Sequence, residues 1–166
     1  MAALKGLTDE LRSFKPCSPV GETNPEGIEG AWQRNAMLWG RPIPAMAATD
    51  LRAVVDYAVS RGDADARSLT VAANGNLAIA SVFSAATDNR VVSLELDFRS
   101  KCFATGTLRL VPFVLRQGDA LHWVARLADR RLVLAGVPKE AGDAAWLQQA
   151  FRAAGNAEGL KLAERR

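Results

Sequence analysis

Residues 68–98, SLTVAANGNLAIASVFSAATDNRVVSLELDF, carry the reading of the fold. The stretch divides into three apolar segments, SLTVAA, LAIASVFS and RVVSLELDF, separated by Asn74-Gly75 and by Asp88-Asn89. Asn-Gly is the favoured pair for a two-residue type I′ hairpin, because both positions tolerate positive φ. In the third segment Val92, Leu94, Leu96 and Phe98 alternate with Ser93, Glu95, Asp97 and Arg99. Alternation of period two marks a strand with one wet face, and a wet face is commonest in antiparallel sheets.

Moving toward the C-terminus, a long apolar strand is expected from about Phe103 to Leu115, with an edge or bulge where Pro112 interrupts it. Gln117-Gly118-Asp119 then turns the chain into ALHWVAR, and Ala128-Asp129-Arg130 turns it into RLVLAGV, which Pro138 stops. The spacing therefore predicts an antiparallel β-meander of five or six strands over about residues 68–137. Beyond it, Trp146, Leu147, Ala150, Phe151 and Ala154 repeat at helical spacing and predict a closing helix over 143–154. On the N-terminal side, Leu51, Val54, Val55, Ala58 and Val59 form an apolar stripe, with Thr49-Asp50 as an N-cap and Arg61-Gly62-Asp63 as the end. The fold class expected is α+β, a meander flanked by one N-terminal and one C-terminal helix.

Before that helix the chain changes character. Leu7, Leu11 and Phe14 suit a short helix. From Lys15 to Gly30 three prolines alternate with three glycines, so an extended arm or long loop is expected. Trp32, Ala36 and Trp39 then fall on one face of a short helix closed by Gly40. The organisation expected is an arm with short helical segments over 1–48, one α+β domain over 49–155 and a short polar tail over 156–166.

At 166 residues and 49% hydrophobic content the chain has the size and composition of one ordinary globular domain. Small residues carry much of the apolar count, a composition that suits a high-GC bacterial source. Twenty-one Lys and Arg against 18 Asp and Glu leave a formal charge of only +3, well short of the one-sided surplus of proteins that live on nucleic-acid backbone. The N-terminus lacks the pattern of a signal peptide, and no apolar run approaches the ~18 residues of a membrane span. The expected location is the cytoplasm, with no membrane partner.

Motifs for chemistry are few. There is no GxxxxGK[ST], GxGxxG, GxSxG, HExxH or EF-hand loop in the sequence. The lone histidine, His122, is placed on the outer face of a strand; it is a satisfied or exposed side chain or, alternatively, a general base. Cys102 beside Lys101 is either a small buried residue or an activated thiol. A disulfide between Cys17 and Cys102 is open but unsupported, and one histidine cannot complete an ordinary zinc set with them. Glu95 and Asp97 share a strand face roughly 7 Å apart, which suits acid–base work or any solvated face equally. No cofactor and no metal are expected.

Two surfaces remain. Trp32 and Trp39 either pin the arm to the chain's own core or anchor a protein partner or second copy. Arg99, Lys101, Arg109 and Arg126, with Phe103 in the same row, would form a basic sheet face able to hold a single nucleic-acid strand. The function expected is a non-catalytic interaction module, a subunit or adaptor of a larger protein assembly. The alternatives are single-strand nucleic-acid binding and a small enzyme using His122 or Cys102.

Overall fold

The computed structural model describes residues 25–63, 65, 68–106, 108–109 and 111–163. The short helix expected near residues 8–14 and the arm up to residue 24 lie outside the described residues. In chain order the elements are α1 (Pro25–Leu38), α2 (Ile43–Ser60), β1 (Leu69–Asn74), α3 (Asn76–Thr87), β2 (Val91–Asp97), α4 (Ala120–Val124), β3 (Arg131–Ala135), α5 (Ala144–Ala153) and β4 (Leu160–Ala163).

The four strands form one sheet in the order β1-β2-β3-β4, and every pair is parallel. This overturns the antiparallel meander, although the mixture of helices and strands holds. The decisive difference is at LAIASVFS, which is not the second strand of a hairpin but the helix α3. Ala78, Ile79, Ala80, Ser81, Val82, Ser84 and Ala85 are all buried, so α3 is covered nearly all round and shows no polar face. A helix buried on every side and a fully buried strand have the same apolar run, and only length and partners separate them. With a helix between them, β1 and β2 can point the same way, since a parallel pair needs a crossover that no two-residue turn provides.

Further along, the described residues between Phe103 and Leu115 are loop and turn, ending in a 3₁₀ turn at Val114–Arg116. ALHWVAR is the short helix α4 followed by a 3₁₀ turn at Ala125–Leu127. RLVLAGV supplies β3, and the stretch read as a polar tail supplies β4. The closing helix lies where its periodicity placed it, with Leu147 and Phe151 on the buried side. The α2 stripe also ends at Ser60 as expected. Its helix begins earlier, at Ile43 after Pro42, and Thr49 is no cap: its hydroxyl donates to the carbonyl of Ala45 within the helix. Residues 25–30, expected to be arm, form the start of α1.

The alternation in β2 is real, with one correction. Leu69 pairs with Val91 but Thr70 pairs with Ser93, so Val92 is an extra residue bulged out of register. Val91 takes the core position and Val92 is exposed. From there Leu94 and Leu96 join Leu132 and Leu134 of β3 on the inner face, against Ile79 and Val82 of α3 and Phe151 of α5. Strands laid down in sequence order by crossovers of one hand place all their helices on one face. On the opposite face Thr70, Ala72, Glu95, Arg131 and Lys161 are exposed, and no described element covers them. That is unusual for a parallel sheet, which is normally covered on both sides.

The N-terminal edge of the sheet is closed by charges. Arg130 is buried and donates to the carbonyls of Asp88 and Val91 and to the side chain of Asn89. Arg90 grips the buried Asp88 carboxylate and also reaches Asp56 of α2. The Arg90 hydrogen bonds hold the Asp88 carboxyl down to about 2 against the opposing effect of burial. A carboxyl whose folded pKa lies below its unfolded value of about 3.9 stabilises the fold above that value and loses the contribution as pH falls through the folded one. Stability is therefore expected to drop by about 2 kcal/mol between roughly pH 4 and pH 2 on account of Asp88. Urea unfolding midpoints across that range, in the wild type and in Asp88→Asn, check this: the acid-sensitive fraction disappears in the variant.

Candidate functional site at the carboxyl ends of the strands

In open parallel sheets, ligands bind beyond the carboxyl ends of the strands. At that end β1 runs directly into α3 through Gly75. Its N–H donates to the carbonyl of Asp97 at 2.7 Å, tying the tip of β1 to that of β2. Gly75 has φ +57° and ψ −126°, a conformation that glycine adopts freely and that strains a residue with a Cβ by about 1–3 kcal/mol. This is not the type I′ turn expected from Asn-Gly but a sharp strand-to-helix elbow. In hydrolases built on parallel sheets the same kind of turn presents a nucleophilic serine. Here the tip of the elbow carries no side chain.

The neighbouring strand end is a tight turn. Oδ1 of Asp97 accepts the N–H of Arg99, and the N–H of Ser100 donates to the carbonyl of Gly136 beyond β3. Arg99 and Ser100 both have positive φ, and Arg99 passes over the elbow. The loop that follows is held by one buried carboxylate, Asp119, which accepts the N–H groups of Phe103, Ala104 and Ala120. Asp119 thereby caps α4 and fastens the loop. On the other side, the side-chain oxygen of Asn76, the first residue of α3, accepts the N–H of Arg109.

These contacts shape a cleft of about 630 Å³ between α1, the start of α3 and the loop. Lys101, Arg109 and Arg116 line it together with Phe103, Leu108, Val111, Phe113 and Val114, and Asn76 and Gln33 close the ends. The Arg116 guanidinium sits 4.9 Å from the ring centroid of Phe113, which is itself exposed and has φ +60°. Arg116 and Phe113 were not singled out from sequence. The signal available was Arg116's membership of the basic stretch 90–131, where eight cations face four acids.

The residues expected to form a basic sheet face do not do so, because the strands meant to carry them are not strands. Arg99, Lys101 and Arg109 lie in the loop after β2, where Lys101 and Arg109 share the cleft. Phe103 joins them there as a buried wall. Arg126 sits apart on the 3₁₀ turn after α4. Arg90 and Arg130 are committed to the structure of the opposite edge.

Cys102 is wholly buried, with Sγ 3.1 Å from the Thr105 hydroxyl. Cys17 lies outside the described residues. His122 is exposed, on α4 rather than a strand, and its ring lies 4.9 Å from that of Trp146. Glu95 and Asp97 do share the uncovered sheet face, but Asp97 is engaged by Arg99 and no group of three metal-ligating side chains occurs among the described residues. Trp32 and Trp39 lie on and just beyond α1, exposed rather than folded into the core, Trp39 at 82%. No described helix is long and apolar enough to cross a membrane. Compared with known protein families and with curated proteins, the chain matches none of them.

Proposed function

We propose that this protein is a non-catalytic interaction module, a subunit or adaptor of a larger cytoplasmic assembly, that seats a partner protein or a second copy on the outer side of α1 and α2. The observation that carries this reading is the exposure of large apolar side chains there. Leu38 and Trp39 are 84% and 82% exposed, and Trp32, Met46, Val54 and Tyr57 are exposed with them. Fully wetted tryptophan is costly to leave uncovered, and Trp and Tyr are the residues that most often dominate an interface. Two further observations support contact over conversion. The elbow that would present a nucleophile carries glycine, and no described element covers one face of the parallel sheet.

Sedimentation of the purified chain, alone and with candidate partners captured by cross-linking, tests the proposal. The wild type should associate, and Trp39→Ser and Trp32→Ser should each weaken association by tenfold or more, as expected for anchors contributing about 2 kcal/mol each. A wild-type chain that stays monomeric at about 100 μM and cross-links to no partner would sink the reading. So would association untouched in the double variant.

A further inference from the structure

We infer that the cleft between α2, α3 and the loop 111–117 is a binding site for a small, flat aromatic molecule carrying one uncharged hydrogen-bonding group. This inference is independent of the proposed assembly surface and stands or falls separately. Ala48, Thr49 and Arg52 line the cleft from one side of α2, while Met46, Val54 and Tyr57 lie on another.

Two serines of α3 are buried, and they differ in one respect. A hydroxyl inside a helix has an acceptor at hand in the carbonyl four residues back. Ser81 uses it, donating to the carbonyl of Leu77 at 2.8 Å. Ser84 does not: it is 2% exposed, and its Oγ has no hydrogen-bond partner among the described residues. A buried hydroxyl left without a partner is costly, so a group brought in from outside the chain is favoured there. Ser84 lines the cleft. Rotation about χ1 among its staggered positions lets the hydroxyl meet such a group without any movement of the helix.

The walls define the rest of the ligand. Trp123 of α4 stands edge-on to Phe83 of α3, with 5.2 Å between ring centroids, and both half-buried rings line the cleft together with Phe113 and Val114. Such walls favour another ring, stacked or edge-on. The other hydroxyls of the lining, Thr49 and Thr87, are spent on carbonyls of their own helices, and Nε1 of Trp123 on that of Gly118. Arg52 and Arg116 also line the cleft, but their side chains are exposed whereas Ser84 is buried. A group that pairs with Ser84 is therefore uncharged, since an ion beside it would be desolvated without a counter-ion. The volume of about 660 Å³ falls within the range of small-molecule sites, whose linings are apolar with a few placed polar groups.

Titration calorimetry of the full chain with indole, quinoline and 1-methylindole tests this. The three are similar in size and shape; the first offers a donor, the second an acceptor and the third neither. Indole or quinoline should bind about fivefold or more tightly than 1-methylindole, and the tighter of the two shows whether Ser84 accepts or donates. Ser84→Ala should bring the three to within about twofold of one another and leave the thermal midpoint unchanged or raised, because it removes an unpaired hydroxyl. Ala48→Phe, which fills the cleft, should weaken all three by about tenfold or more. No detectable binding of indole or quinoline at about 10 mM, or equal binding of all three by the wild type, overturns the inference. A preference that survives in Ser84→Ala, or binding unchanged in Ala48→Phe, overturns it as well. So does a midpoint that falls in Ser84→Ala, which would show that the hydroxyl is held within the fold.

Discussion

Replacement of Gly136 by Ala is expected to destabilise the protein by about 3–5 kcal/mol. Gly136 follows β3 with φ +60°, and a Cβ placed there would stand 2.2 Å from Oδ1 of Asp97 and 2.8 Å from the backbone nitrogen of Arg99. The Arg99 N–H donates a hydrogen bond to that same Asp97 Oδ1, and the Gly136 carbonyl accepts from Ser100. The added methyl therefore meets backbone that has nowhere to yield, and relief requires breaking the turn that carries Arg99 and Ser100. Gly155, with φ +76° and nothing within 4 Å of its notional Cβ, is the control. There Ala should cost only about 1 kcal/mol, the conformational part alone. Urea denaturation of both variants separates the two contributions. Equal losses at the two positions would show that close packing at Gly136 is not what the turn depends on.

Asp119→Ala should be the next most damaging change, at about 3 kcal/mol. One carboxylate accepts three backbone N–H groups, two of them from residues 15 and 16 positions upstream. Its removal leaves donors in a buried site without an acceptor, and the loss of a single helix cap already costs about 1 kcal/mol. Asp119→Asn should be milder, because one oxygen survives while the amide group would face a donor. Hydrogen exchange gives a local readout. The amides of Phe103 and Ala104 should lose protection well before those of β2, which sits in the sheet. If they exchange as slowly in Asp119→Ala as in the wild type, the loop is held by something other than this carboxylate. The variant should also loosen the neighbouring cleft, whose Lys101 and Arg109 ride on the same loop.

The two tryptophans and the basic loop show how far side-chain chemistry can be located without coordinates. Trp32 and Trp39 were legible as candidates from their helical spacing and the enrichment of tryptophan at interfaces, and they stand exposed on and just beyond α1. Lys101 and Arg109 were legible as part of a basic stretch, but the surface assigned to them does not exist. Their meeting with Arg116, Phe113 and Asn76 joins the loop to the start of a helix some 25 to 40 positions earlier in the chain. No periodicity in one segment records such a meeting.

Local pattern did settle several elements. The apolar stripes of the second half of α2 and of α5, and the inward row Leu94, Leu96 and Phe98, follow from side chains sorting between one dry and one wet environment, a choice made residue by residue along the chain. Strand direction, and with it the fold, was left to tertiary contacts. An alternating strand looks the same whether its neighbour runs with it or against it, because the pattern reports only which side is dry. The helix that makes the neighbours parallel, α3, is buried over most of its surface and so hides its own period. The turn before it is written Asn-Gly in either topology. The packing of α3 between the sheet and α2 makes that dipeptide an elbow into a helix, and what lies beyond the strand ends follows from that one change of direction.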